Sequence, residues 1–166
     1  MRTEAHASGL NMRRKPLRIA LIGWGAINRR VAELLAQRSA DSVAIVAIGR
    51  RNSTKDASLP ANAAVLAEPE RLAGLDLDLV IEAASRDAVG VWGESALRDA
   101  RALVVTSTSA FCDATLLDRL IDCADDHGSQ LIVTPGALAG IDALSAASAL
   151  PLDNVVHRII KPPAAW

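Results

Sequence analysis

The sequence predicts an α/β fold in which a doubly wound parallel sheet is covered by helices on both faces. Apolar runs of strand length recur along the chain, and segments with helical periodicity separate them. The runs are apolar throughout instead of alternating, as expected for strands that are buried on both faces of a parallel sheet. The 166 residues suffice for one domain and part of another.

The elements follow in order along the chain. Strands are predicted at Leu17–Gly23, Val43–Gly49, briefly near Val65, and at Leu77–Ala83, Ala102–Ser107 and Gln130–Pro135. Helices are predicted at Ala26–Arg38, with Ile27, Val31, Leu34 and Leu35 on one face, at Asp87–Ala100, and at Ala114–Gly128, with Leu116, Leu117, Leu120, Ile121 and Ala124 inward and Gly128 as its C-cap. The polar segment from Arg50 to Ala63 is predicted to be a loop with a short helix.

Composition excludes several kinds of partner. The formal net charge is −1, and Arg13–Lys15 forms the one short basic run, which argues against nucleic acid. No apolar run approaches the ~20 residues of a membrane span. The spacing of Cys112 and Cys123 matches no metal or redox motif, so we expect two reduced thiols on one helix of a cytoplasmic protein, with no metal site.

Two glycines interrupt the first strand-to-helix junction, in the sequence Gly23-Trp24-Gly25. In a Rossmann-like unit, the first glycine permits a tight turn and the second lets the backbone approach a pyrophosphate at the helix N-terminus. Asn28 stands where the pattern has its third glycine, and we expect it to hold the helix slightly away from the strand. The alternative is a tight turn that uses two glycines without binding a ligand.

The end of the second strand bears on the choice of cofactor. An acidic residue that would bind a free ribose is absent there, and the chain has Arg50, Arg51 and Asn52 instead. Guanidinium groups suit a 2′-phosphate, so NADP is favoured over NAD. The alternative is that both arginines only solvate a loop.

Small residues follow two later strands, in Glu82–Ser85 and Thr106–Phe111. Open α/β sheets bind ligands at the carboxyl ends of their strands, so these segments are candidates for contact with a nicotinamide ring. The alternative is close packing without a ligand.

The stretch "TPGALAGIDALSAA" adds a more specific signal to "GWGAI", "DLVIEAAS" and the closing "KPPAAW". Together these motifs resemble the L-aspartate dehydrogenase family from Leu17 to Trp166. The resemblance implies NAD- or NADP-dependent oxidation of L-aspartate to iminoaspartate, which feeds NAD biosynthesis or hydrolyses to oxaloacetate. It also implies a homo-oligomer whose subunits combine a Rossmann domain with an α/β substrate domain.

The same resemblance places cofactor contacts at Gly25, Ala26, Ile27, Ala83, Ala84, Ser85, Gly136 and Ala137. The family's asparagine for the nicotinamide and its catalytic histidine are expected after Trp166. We therefore expect residues 1–15 to be a flexible extension, residues 16–140 to be the dinucleotide-binding domain and residues 141–166 to be the start of a truncated substrate domain. A helix from about Ile141 to Leu150 and a strand over Asn154–Lys161 are predicted in that last part.

No catalytic residue is assigned within the chain. His6 lies in the N-terminal extension, His127 is interpreted as a residue of a helix C-terminus, and His157 as a solvent-facing strand residue. Asp142 is expected to cap the helix after the glycine-rich turn, or else to line the substrate site, and Lys161 is a candidate for a substrate carboxylate. A different two-domain amino-acid or semialdehyde dehydrogenase and a non-catalytic NADP-binding module are the alternative functions.

Overall fold

A parallel sheet forms the core of the computed structural model, which describes residues 15–51, 57–136, 140–156, 158, 160 and 162. Its strands are β1 (Leu17–Ile22), β2 (Val43–Gly49), β3 (Ala64–Leu66), β4 (Leu79–Glu82), β5 (Ala102–Val105) and β6 (Gln130–Val133). The spatial order is β3-β2-β1-β4-β5-β6, and every neighbouring pair is parallel. The chain thus winds outward from β1 in both directions, which confirms the predicted doubly wound, Rossmann-like sheet.

The helices are α1 (Ala26–Arg38), α2 (Arg86–Asp99), α3 (Ala114–His127) and α4 (Ile141–Ala147). Short 3-10 turns lie at Pro69–Leu72 and Thr108–Cys112. The Asp113 carboxylate caps α3 by accepting hydrogen bonds from the amides of Thr115 and Leu116, at 3.0 and 3.3 Å. Gly128 ends α3 in the left-handed conformation, as predicted.

Alternate residues of β1 point into two separate apolar clusters. Ala20 and Ile22 belong to the larger cluster, which α2 and α3 cover, whereas Ile19 and Leu21 belong to a smaller one, which α1 covers. Both faces of the central strand are therefore buried, and this explains why its sequence is apolar throughout. No helix in the described part of the chain combines the length and the apolar character that crossing a bilayer requires.

Three details of the predicted packing are wrong. Ile27 and Ile121 are 57% and 44% exposed. The buried face of α1 contains Asn28 and Ala32 instead, and the buried face of α3 contains Leu120. The two cysteines do not share a helix: Cys112 ends the second 3-10 turn, and Cys123 lies on α3.

The sheet edge also departs from the prediction. Ile132 and Val133 of β6 are 41% and 46% exposed, since an edge strand lacks a neighbour on one side. Residues 50, 51 and 57–63 contain no helix, and the rest of that predicted loop lies outside the described residues.

The contact pattern divides the chain into two units, residues 1–136 and 137–166. In the second unit, α4 ends at Ala147 instead of Leu150. The strand predicted over Asn154–Lys161 does not form at the described residues 154–156, 158 and 160. A single strand without a paired neighbour leaves its backbone groups to solvent, so an apolar pattern alone does not produce one.

Candidate nucleotide-binding cleft

A cleft of about 330 Å³ opens at the carboxyl edge of the sheet, where β1, β2 and β4 end. Its lining comes from residues 22–25, 49–51 and 83–85 and from residues 87, 88, 91 and 92 on α2. Because winding reverses between β1 and β4, this is the topological switch point at which open α/β sheets bind ligands. Seven predicted contact residues meet here: Gly23, Gly25, Arg50, Arg51, Ala83, Ala84 and Ser85.

Gly23 makes the sharp turn out of β1. Its φ is +92°, a conformation that side chains disfavour, and its amide donates to the carbonyl oxygen of Gly49 at 2.7 Å. A Cβ at Gly23 would lie 2.7 Å from the Cβ of Ala84. The turn therefore needs glycine for its conformation and also for its close approach to the turn after β4, a contact that the sequence did not predict.

Gly25 is the N-cap of α1 and offers no side chain to the first amides of the helix. Those amides lack intrahelical partners, and with the helix dipole they favour an anion. A Cβ at Gly25 would meet no protein atom within 4 Å, so the backbone borders open space in the cleft. This arrangement fits the pyrophosphate of a dinucleotide, with the first turn of α1 as the group that would hold it.

Asn28 fills the place of the third glycine and is fully buried. Its Nδ2 donates to the carbonyl oxygens of Ile22 and Gly23, at 2.9 and 3.0 Å. Its Oδ1 has no hydrogen-bond partner within the described structure. The side chain thus bonds α1 to the end of β1, where the sequence predicted only a spacer between helix and strand.

Arg50 and Arg51 stand at the end of β2, on the border of the cleft. The Arg50 amide donates to the carbonyl oxygen of Leu66 at 2.9 Å, which fixes the backbone there, and Arg51 is exposed. Asp87, in the first turn of α2, is the acidic residue within the described lining. The described part of the lining thus contains two arginines and one carboxylate, and Asn52, the third predicted contact, lies outside the described residues.

Sequence reasoning named Glu82 only as the start of the segment Glu82–Ser85 and missed the role of its carboxylate beside the cleft. It is the last residue of β4, it is 1% exposed, and its carboxylate accepts hydrogen bonds from Ala84, Ser85 and Ser107. A signal was present in the sequence, because Glu82 is the one acidic residue within an otherwise apolar strand.

Several other predicted residues lie elsewhere. Ala26 and Ile27 form the exposed first turn of α1, beside the cleft-lining Gly25, and they are not themselves among the residues that line the cleft. Gly136 follows β6 near Thr108, whose Oγ1 would be 3.9 Å from an added Cβ, and it is also outside the lining. The segment Thr106–Phe111 does not line the cleft either.

Of the remaining candidates, the structure describes His127 and Asp142. His127 Nδ1 lies 2.9 Å from the carbonyl oxygen of Cys123 at the end of α3, in agreement with a role at a helix C-terminus. Asp142 does not cap α4 as expected: Gly140 is the N-cap without a side-chain bond, and Asp142 lies within the first turn, where its charge favours the helix dipole. Ala137, His157, Lys161 and His6 lie outside the described residues.

Comparison with known proteins agrees with this geometry. A family model described as "Homoserine dehydrogenase, NAD binding domain" matches residues 23–134. The chain is 51% identical to an L-aspartate dehydrogenase of Brucella anthropi over 149 residues, which are 89% of this chain and 55% of that protein. An L-aspartate dehydrogenase of Serratia proteamaculans is 36% identical over 90% of this chain and 56% of its own length.

A solved structure leads to the same conclusion. The crystal structure of aspartate dehydrogenase from Thermotoga maritima superimposes with a TM-score of 0.62 at 25% identity, covering 80% of this chain and 52% of that one. The chain thus spans about half the length of the curated relatives it matches. It belongs to the family of NAD-binding domains described for homoserine dehydrogenase, and its predicted resemblance to the L-aspartate dehydrogenases is confirmed over most of its length.

Proposed function

We propose that this chain is the cofactor-binding part of an NADP-preferring dehydrogenase that oxidises L-aspartate to iminoaspartate. The enzyme would act in the cytoplasm as a homo-oligomer, and its product would feed NAD biosynthesis. Identity of 51% to an L-aspartate dehydrogenase over 89% of the chain supports the substrate. The nicotinamide of the cofactor would supply the hydride acceptor. The first turn of α1 would hold the pyrophosphate, and Arg50 and Arg51 would hold the 2′-phosphate.

The pair of arginines carries the choice of NADP. Both border the cleft directly after β2, where an acidic residue would repel a phosphate and select a free ribose. Hydrogen bonds to a charged group contribute about 1.5–3 kcal/mol each. Two guanidinium groups at this position are therefore sufficient for a clear preference for NADPH over NADH.

Titration of both cofactors by fluorescence or calorimetry tests this proposal. We expect the parent chain to bind NADPH more tightly than NADH, and Arg50→Ala with Arg51→Ala to weaken NADPH by about 100-fold or more with little effect on NADH. Arg98→Ala with Arg119→Ala is a matched control, because both residues lie on α2 and α3 outside the cleft lining. Equal affinity of the parent for the two cofactors, unchanged in the double variant, would refute the NADP assignment.

We further propose that catalysis requires groups other than those of the cleft described above. Oxidation of an amino acid needs a placed proton acceptor, which typically contributes ~10²–10⁴-fold, and positioning of both reactants, which contributes ~7–11 kcal/mol. The resemblance assigns the family's catalytic histidine to a position after Trp166, and Asp142 and Lys161 remain the candidates for substrate contact within this chain.

An assay of NADPH formation from L-aspartate and NADP separates this proposal from its alternatives. We expect residues 1–166 to bind the cofactor and to show no turnover near the usual enzyme range of about 1 s⁻¹ or more. Turnover in that range would show that residues of this chain perform the chemistry. If a longer form of the protein binds NADPH but never oxidises L-aspartate, the non-catalytic module or another dehydrogenase becomes the better assignment.

A further inference from the structure

The carboxylate of Glu82 is buried at the carboxyl edge of the sheet, beside the cleft. Oε1 accepts hydrogen bonds from the amides of Ala84 and Ser85, at 2.7 and 3.0 Å, and from the Ser107 hydroxyl at 2.9 Å. Oε2 accepts from the Ser107 amide at 3.1 Å. Burial of a carboxylate is costly unless donors replace its water, and these four neutral donors do so.

The four bonds join two different turns. Ala84 and Ser85 belong to the turn between β4 and α2, and Ser107 belongs to the turn after β5. Ser85 is also the N-cap of α2, so its amide is fixed by Glu82 while its hydroxyl accepts from the amide of Ala88 at 3.3 Å. The start of α2 therefore takes its position from a carboxylate that does not itself line the cleft.

The first of these turns is also a wall of the cleft. Ala83, Ala84 and Ser85 line it, and an added Cβ on Gly23 would stand 2.7 Å from that of Ala84. A shift of the turn after β4 would change both the width of the cleft and the room for the glycine turn opposite. Ser107, in contrast, is outside the lining, and its amide and hydroxyl both bond the Glu82 carboxylate.

We propose that Glu82 is a positioning residue for the cofactor: its carboxylate holds the turn between β4 and α2 at the spacing from Gly23 that the nucleotide requires. This inference rests on the proposed cofactor function and adds to it the group that sets the far wall of the cleft. Preorganisation of this kind improves affinity because the wall need not be ordered when the ligand binds.

Glu82→Gln is the informative substitution. An amide of the same shape keeps one oxygen for Ala84 and Ser85, but its Nε2 then faces the amide of Ser107, donor against donor. We expect the affinity for NADPH to fall about 10- to 100-fold, as for loss of a hydrogen bond to a charged group. Amide hydrogen exchange at Ala84, Ser85 and Ser107 should accelerate in the same variant. Glu70→Gln, at an exposed position of the first 3-10 turn that takes no part in these bonds, should change neither quantity.

Ser107→Ala keeps the inference testable if Glu82→Gln does not fold. It removes one of the four bonds from outside the cleft, and we expect about a threefold loss of NADPH affinity, which Ser107→Thr should restore by returning a hydroxyl. Binding is measured at a temperature where each variant is folded, so that affinity is separated from melting temperature.

If the folded variants bind NADPH with the parental Kd, Glu82 has a purely structural role, even where the melting temperature falls. That result would overturn this inference but leave the proposed function intact. A parent chain that binds neither NADPH nor NADH would overturn the proposed function, and the inference with it.

Discussion

The two turns that face each other across the cleft are built by opposite means. The turn after β1 depends on missing side chains: Gly23 adopts a positive φ, and Gly25 leaves open space in front of the α1 amides. The turn after β4 has no glycine and is held from behind by the carboxylate of Glu82. We therefore expect an added side chain to disrupt the turn after β1, and loss of a hydrogen-bond acceptor to disrupt the turn after β4.

The largest effect should come from Gly23→Ala. Strain at positive φ costs roughly 1–2 kcal/mol, and forcing an extra carbon into a packed site typically costs 1–3 kcal/mol more. Since the added Cβ would stand 2.7 Å from that of Ala84, we expect a loss of about 3 kcal/mol in the free energy of unfolding. Urea unfolding of this variant beside Gly25→Ala provides the matched pair, because the second glycine has ordinary φ and free space. Equal destabilisation of the two would show that the close approach of the two turns is wrong.

Gly25→Val should separate binding from folding. The side chain would enter the open space before the α1 amides, where the pyrophosphate is proposed to lie, while the backbone φ of −89° accepts any residue. We expect a melting temperature near that of the parent and at least about a 100-fold loss of NADPH affinity, equivalent to about 2.7 kcal/mol.

A thermal-shift titration measures both quantities together. A Gly25→Val chain whose melting temperature still rises with cofactor as the parent's does would place the phosphate site elsewhere.

Asn28→Ala should show how the glycine turn is connected to its helix. The substitution removes both donors to the carbonyl oxygens of Ile22 and Gly23 and also the buried Oδ1 that has no partner in the described structure. Because the variant loses two bonds but also an unsatisfied acceptor, we expect a net loss of about 1–2 kcal/mol.

Asn28→Asp is the sharper companion, since its carboxylate would face two carbonyl oxygens without a donor. It should be less stable than Asn28→Ala in the same urea experiment, and the reverse order would contradict the assigned amide orientation.

The sequence was sufficient for the sheet and for half of the cleft. Apolar runs located every strand of the sheet, because central strands of a parallel sheet are buried on both faces. Gly23 and Gly25 could be identified as site residues because the absence of a side chain follows directly from the residue type. The bonds of the Glu82 carboxylate and the inward direction of Asn28 were not predicted, because they depend on contacts with other elements and on the rotation of a helix. The apolar pattern that begins at Asn154 predicted a strand that does not form at the described residues, because a strand needs a paired neighbour as well as apolar residues.

The smallest effect concerns an exposed carboxylate and contrasts with Glu82. Asp76, on the loop before β4, lies 2.7 Å from the Lys15 ammonium, and both side chains are more than two-thirds exposed. The hydrogen bond and charge of Lys15 lower the pKa of Asp76 in the folded chain. A lowered pKa stabilises the fold above the unfolded value of ~3.9, and this contribution disappears as the pH falls through the folded value.

Asp76→Asn suits the positive φ of +50° at this position, so it removes the charge without adding backbone strain. We expect melting temperatures of parent and variant to differ by no more than about 2 °C at pH 5–7, as for a solvated ion pair, and to converge in more acid solution or at high salt. A variant that is more stable than the parent at pH 5–7, with the difference vanishing on acidification, would mean that the carboxylate destabilises the fold and that Lys15 is not its effective partner.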